Sequence, residues 1–462
     1  VNEADAKRAV FVNLTAPESL IEMARKEAAR SHARGRDGQS PTRFARDLPS
    51  YVEKLSSELQ AGEYRFIAYR QVLASKGAGK VPRVISVPSA RDRAPLKAIL
   101  RYLHRLVPES QPSLAQQVIR DLIAAIDTRS FKHFVRVDVE DFYPSISHDS
   151  AVAAIDRFVD LDEVRKILHS AISTPTLKHN ATSRGARSTR GVPQGLSISN
   201  SVAELVMQDF DAKWKSRTDL AYFRYVDDIL VLTRRRKHRL VFKEIKDDLN
   251  LLGLRCHELA VAGSKSTWGT LELPVDYLGY SVSAGSISVR DETVSRLKEK
   301  IAQRFLRYRR ALSDRPIALS AEEWQASCEV RLRWYLDLTI AGCVLDEHRR
   351  GWIHYFALMN DFKLLRELDY FVVRKAATTV GLKPKSFVKA FRRAARSRSD
   401  RSGYVPNFDL YTSDQQRDVL RDIFLFPEEQ ILASSDEAVA EWFYRRLRRE
   451  IDALETDLAI AY

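Results

Sequence analysis

Cysteine is scarce. The chain has three in 462 residues (Cys256, Cys328 and Cys343) and no Cys-x-x-Cys pair, which excludes a disulfide framework and a cysteine-built zinc site of the usual spacing. Long apolar runs are missing too. No stretch approaches the roughly 18 apolar residues that read as a membrane-spanning helix, and Val1 to Arg8 is charged rather than signal-like. Together these absences lead us to expect a reducing, cytoplasmic setting and no membrane partner. The chain does not begin with Met, so upstream residues are left open. Acid is in deficit: 61 Asp and Glu face 75 Lys and Arg, a net charge of +14. Such an excess concentrates phosphate-rich ligands and makes nucleic acid the expected partner, although solubility or a membrane surface would use the same charge. With 45% hydrophobic residues, the length suits several domains of roughly 100–200 residues each.

Along the chain, Glu18 to about Leu73 has helical patterning around a polar break at Arg34 to Thr42. A basic Gly-containing turn, Lys76 to Lys80, leads into β-branched alternation over Val81 to Pro88, which predicts a strand. Pro95 to Leu106 and Ser113 to Ile126 are amphipathic. In the middle third, short β-type runs (Phe134 to Val139, Leu220 to Tyr225, Ile229 to Thr233, Tyr277 to Val282) interleave with helical stretches such as Ile198 to Lys215. This pattern predicts an α+β domain with helices packed on a sheet. Beyond Val289 the chain reads as helical nearly throughout. In its last helix Phe443, Leu447, Ile451, Leu454 and Leu458 share one stripe behind Ser434 and Ser435 as caps. Two basic runs, Arg234 to Arg239 and Lys383 to Arg401, identify no function alone: the first reads as an exposed turn, the second as a linker or a helix on a nucleic-acid backbone.

The segment carrying chemistry is Tyr225-Val226-Asp227-Asp228, between two apolar strands. It predicts a hairpin with two carboxylates at its tip, although Asp also favours turns for conformational reasons alone. A second strand, Val135 to Val139, places Asp138 at its end. If these strands are neighbours, three carboxylates converge, and like charges within a few Å need a counter-charge. Magnesium suits hard oxygen ligands, and two such ions roughly 3.5–4 Å apart serve in-line phosphoryl displacement.

These segments, with Gly191-Val192-Pro193-Gln194-Gly195-Leu196-Ser197-Ile198-Ser199-Asn200, Ser264-Lys265-Ser266, Tyr277-Leu278-Gly279-Tyr280 and Arg83 to Pro88 followed by Asp92-Arg93, stand in the order of the reverse transcriptase motifs. Over about Ala28 to Ser283 the chain resembles that family. The resemblance implies a right-hand polymerase fold: a helical N-terminal region with fingers (1–75), fingers (76–130), a palm with antiparallel sheet (131–285), a helical thumb (286–382), then a basic linker and helical C-terminal extension (383–462). It implies an RNA-directed DNA polymerase with Asp138, Asp227 and Asp228 as catalytic metal ligands and the Val139 carbonyl as an added ligand. Two Mg²⁺ ions are implied, with Mn²⁺ as a substitute. Tyr143, five residues past Asp138, takes the place of the aromatic that selects against a ribose 2′-OH. Lys80, Arg83, Gln194 and Lys265 are implied nucleotide contacts, and Leu278, Gly279 and Tyr280 a primer grip. Glu140 and Asp141 are acidic neighbours expected to face solvent or pair with a base.

The implied partners are an RNA template, a DNA product and deoxynucleotides. No nuclease box, RNase H pattern or Cys/His-rich finger is evident, nor the Val-Thr-Gly motif of retron enzymes. The chain therefore most resembles the bacterial abortive-infection and unknown-group enzymes of antiphage defence. That subgroup implies a dedicated non-coding RNA, and a protein partner or homo-oligomer. Some members prime from a protein hydroxyl, for which Tyr404 and Tyr462 are unranked candidates. Two alternatives stay open: a group II intron-type maturase, with Lys383 to Arg401 as its one basic candidate region, and a non-catalytic RNA-binding scaffold.

Overall fold

A computed structural model describes residues 3–459 apart from 32, 76–80, 182–184, 260, 262, 378, 380, 381 and 397–402. The chain divides into two compact units, 1–118 with 130–270, and 119–129 with 271–462.

In the first unit, the helices Glu3–Thr15, Pro17–Arg30 and Pro41–Asp47 pack on the helix Ala90–Leu106, and Val52–Gln60 packs on the first two. Phe11, Leu20, Phe44 and Leu59 interlock with Ile99, Tyr102 and Leu103 in one core. Ser89 starts the last of these helices by accepting the Asp92 N–H. The helical expectation is overturned at its end, since Tyr69–Ala74 is a strand (β1). It pairs antiparallel with β2 (Arg83–Val87), Arg70 opposite Val87 and Ala74 opposite Arg83. Six residues cannot declare a period, and pairing with a distant strand decides their conformation.

The central sheet has the order β5-β6-β3-β7, all antiparallel. Its strands are β3 (His133–Asp138), β5 (Leu220–Tyr225), β6 (Asp228–Thr233) and β7 (Thr267–Thr270). The short β4 (Thr176–Leu177) instead joins β1. All six β6 residues are buried, which explains the unbroken apolar run Ile229 to Leu232 within it: a strand covered on both faces shows no alternation. The helices Ser199–Lys215 and His148–Phe158 pack together beside the sheet, and Val202, Met207, Phe210 and Trp214 of the first join the same core as Val135, Val137 and Val231.

The second unit contains a three-stranded sheet of β8 (Val275–Tyr277), β9 (Tyr280–Ser283) and β10 (Ser286–Val289). Two long helices follow, Asp291–Ser313 and Ala321–Ala341, the latter opened by a Ser320/Glu323 capping box. A hairpin, β11 (Cys343–Leu345) and β12 (His348–Arg350), interrupts the expected helical run. Its turn residues Asp346 and Glu347 both have positive φ, and their N–H groups donate to the Asp409 carboxylate at 2.8 Å each. The stripe Phe443, Leu447, Ile451, Leu454 and Leu458 is buried, and Ser435 caps its helix through the Ala438 N–H at 3.4 Å. The cysteines are free and buried. Among the described residues no helix is long and apolar enough to cross a membrane.

Candidate active site

Strand register creates the site. β3 and β6 pair so that Asp138 stands opposite Asp228, while Tyr225 stands opposite Asp228 across the β5–β6 turn. Val226 in that turn has a φ of 56°, unusual for a β-branched residue. Arg224 holds it there. This buried guanidinium donates to the Val226 carbonyl at 3.0 Å, to both Asp211 oxygens at 2.8 and 2.6 Å, and to both Glu204 oxygens at 3.2 and 2.6 Å. Tyr222 adds a bond to Asp211 at 2.6 Å. A buried cation between two carboxylates is well satisfied, and losing one member leaves an uncompensated charge.

The three acids have different surroundings. Asp228, fully buried, takes both arms of Arg136, Nε at 2.8 Å and Nη2 at 2.6 Å; burial still pushes its carboxyl up, against the pull of Arg136. Asp138 accepts from Lys265 Nζ at 3.0 Å and lies 3.3 Å from His257 Nε2. Its backbone N–H donates to the buried Ser266 hydroxyl at 3.2 Å. Asp227 has no ion-pair partner among the described residues. Burial first, then the Asp138 and Asp228 charges, push its carboxyl up to about 6.

Those surroundings bear on a divalent cation. Asp227 is a half-buried carboxylate with no ion-pair partner among the described residues, beside a second carboxylate, and both offer hard oxygens, so the pair fits magnesium. Asp228 already has its counter-ion in Arg136. Among the described residues no three acidic, His or Cys side chains form a metal cage. Val139 is buried and joined to the hairpin through its N–H to the Asp227 carbonyl at 3.0 Å. Glu140 approaches His257 Nδ1 at 3.6 Å, as expected of an acid paired with a base, and Asp141 is exposed with a φ of 41°.

Tyr143 follows Asp138 on the short helix Phe142–Ser145, and its hydroxyl donates to the Asn200 side chain at 2.5 Å. Burial, reinforced by the Asp227 charge, pushes that hydroxyl's pKa up. The loop with Gln194 is tied on two sides: Val192 N–H to the Tyr143 carbonyl at 2.9 Å, and Ser86 N–H to the Gln194 carbonyl at 2.6 Å. Gly195, with a φ of 109°, allows that approach, since a Cβ there would lie 2.8 Å from Ile85 Cγ2. The structure thus links Tyr143, Gln194 and β2, where Arg83 lies half-buried. Lys80 lies outside the described residues. Leu278, Gly279 and Tyr280 are buried in the second unit, where Tyr280 donates to the Tyr355 carbonyl at 2.5 Å and Tyr355 to the Leu278 carbonyl at 3.2 Å.

Sequence reasoning missed Arg136, His257, Asn200 and the Arg224–Glu204–Asp211 cluster. Arg136 carried a signal, because in a strand it shares a face with Asp138 two residues on. The others come from elements far apart in the chain, Arg224 from β5, Asn200, Glu204 and Asp211 from the helix Ser199–Lys215 and His257 from a loop, whose meeting no local spacing encodes.

Residues 75–282 match the family described as reverse transcriptase (RNA-dependent DNA polymerase). Protein YkfC of Escherichia coli is 22% identical over 270 residues, covering 48% of this chain and 70% of that protein. The putative COX1/OXI3 intron 1 protein of Saccharomyces cerevisiae is 21% identical over 399 residues, covering 70% of this chain and 47% of its own length. The chain thus spans about half of the latter relative. Telomerase from Candida albicans, in complex with a fragment of telomeric RNA, overlays at a TM-score of 0.39 with 12% identity, covering 85% of this chain and 69% of that one. The match covers 208 of the 462 residues, and over that segment it implies the activity of an RNA-directed DNA polymerase.

Proposed function

We propose that the chain extends a primer on an RNA template with deoxynucleotides, using Asp138 and Asp227 to hold two magnesium ions, with Asp228 and the Val139 carbonyl beside them. The observation that carries this reading is the half-buried Asp227 carboxylate, raised first by desolvation and then by Asp138, and lacking an ion pair among the described residues. Magnesium, or manganese in its place, supplies Lewis-acid charge for nucleotidyl transfer. The chain's own residues orient the reactants. Tyr143, fixed by Asn200, closes the space a ribose 2′-OH needs, and Gln194 borders the incoming sugar and base. Arg83 and Lys80 meet the triphosphate. Lys265, exposed and held by Asp138, exchanges that carboxylate for the departing pyrophosphate. Leu278, Gly279 and Tyr280 steady the primer through their backbone.

Purified protein incubated with Mg²⁺, labelled deoxynucleotides and a primed RNA tests the reading. Asp227→Asn is expected to lower extension at least ~10³-fold while leaving RNA retention within a few-fold; extension at the parental rate would sink the assignment. Tyr143→Ala is expected to relax the preference for deoxy- over ribonucleotides, read as the ratio of their kcat/KM values; an unchanged ratio removes the role given to Tyr143.

We place the biological role in antiphage defence, with a dedicated non-coding RNA as template and a protein partner or second copy. The support is the motif resemblance together with the helical region beyond the polymerase motifs. The similarity to the intron 1 protein, spanning 70% of this chain, favours a second reading, a maturase-type enzyme acting on its own intron. Sequencing the RNA that copurifies from cells separates them: a short neighbouring transcript supports the first, an intron the second.

A further inference from the structure

The run Arg234-Arg235-Arg236-Lys237-His238-Arg239 stands at the end of the central sheet away from the carboxylates. β6 runs from Asp228 to Thr233 and β3 from His133 to Asp138, so about 17 Å of strand separates the run from the site. Its five cations are exposed, and none has an ion-pair partner among the described residues. Nearby Arg217, by contrast, pairs with both Asp219 and Glu244.

The run is also built in place. His238 lies flat on Trp268, ring centroids 3.8 Å apart and planes 2° from parallel. The Arg236 guanidinium lies 5.3 Å from the same indole centroid, and Arg234 5.9 Å from the Phe131 ring. Lys132 stands exposed alongside, its N–H bonded to the Thr233 carbonyl at 2.9 Å. The helix His238–Leu251 begins here with no acid in its first turn. Cations at a helix N-terminus oppose the helix dipole. Among the described residues, the buried His238 Nδ1 has no hydrogen-bond partner. A cluster that repels itself, opposes the dipole and is nonetheless held by ring stacking suits an anionic occupant.

We propose that this surface binds a nucleic-acid phosphodiester backbone at a place separate from the catalytic carboxylates, with Arg234, Arg235, Arg236 and Lys237 as the phosphate contacts and the Trp268–His238 stack as their support. Guanidinium groups held on flat rings fit a phosphate chain flanked by bases, a chemistry that RNA and single-stranded DNA share. The proposal rests on the nucleic-acid reading of the chain and not on catalysis, so its test excludes metal.

Binding of a labelled ~40-nucleotide RNA, and of single-stranded DNA of the same sequence, is measured in EDTA across a salt series. Arg234→Gln with Arg236→Gln is expected to weaken binding about ten-fold at ~0.15 M salt and to flatten the slope of log K against log salt by about 1.4. Loss with RNA alone assigns the surface to RNA, and loss with both assigns it to the shared backbone. The matching Arg→Lys pair keeps the charge and is expected to keep the slope. Unchanged affinity and slope for both nucleic acids, equal loss in the Lys pair, or competition by polyglutamate but by neither nucleic acid would overturn the proposal.

Discussion

Arg136 shows how one side chain conditions the site. Its two bonds to the buried Asp228 carboxylate leave Asp138 and Asp227 as the acids without such a clamp. Arg136→Met would strand a buried charge, so we expect a loss of about 3–5 kcal/mol in first-unit stability, measured by urea denaturation followed through Trp214 and Trp268. A loss below about 1 kcal/mol would contradict the pairing. The doublet Asp227-Asp228 is adjacent in sequence, yet the two acids have opposite circumstances: β6 register turns Asp228 toward Arg136, while the bend at Val226 leaves Asp227 beside Asp138. The acids were legible because each ends an apolar strand. Their counter-ions were not, since salt bridges such as Lys265 to Asp138 join residues far apart in the chain.

The element least visible in the sequence is the hairpin β11–β12. Tight two-residue turns usually announce themselves by Asn-Gly or Asp-Gly, whereas this one is Asp346-Glu347, held open by Asp409 about sixty residues later. Strands three residues long, inside a region of helical composition, leave no periodicity to read. By contrast, β6 and the stripe of the last helix were legible because burial imposes a run or a 3.6 spacing. Gly342 joins the preceding helix to this hairpin with a φ of 65°, and a Cβ there would lie 2.2 Å from the Arg350 carbonyl oxygen. Gly342→Ala is therefore expected to cost about 2 kcal/mol or more, from backbone strain alone about 1–3 kcal/mol; a neutral effect on the second unit's unfolding midpoint would refute that geometry. The adjacent His354 adds a pH dependence. Burial, assisted by Arg349, lowers its pKa from 6.5 to about 4. Between those values the unfolded chain binds a proton that the folded one does not, so stability falls as pH drops from about 6.5 to 4, by on the order of 3 kcal/mol. His354→Gln should remove that slope from the difference between urea midpoints at pH 7 and pH 4.5; an identical slope would show that His354 is not its source.

At the scale of the whole molecule, the segment that matches the reverse transcriptase family, 75–282, falls mostly in the first unit, and 271–462 forms, with 119–129, a second compact unit. The net charge of +14 is unevenly used: many cations are consumed in ion pairs, and the Arg234–Arg239 run is left unpaired among the described residues. Asp138 and Asp227, far apart in the sequence, meet at the end of the central sheet. Manganese, whose free ion gives an electron paramagnetic resonance signal that bound ion lacks, tests it without any need for template or primer. Titrated into the parental protein, it should disappear from solution into a site that is lost in Asp138→Asn and equally in Asp227→Asn. Retention of that site in either variant, with the fold intact by circular dichroism, would contradict the account.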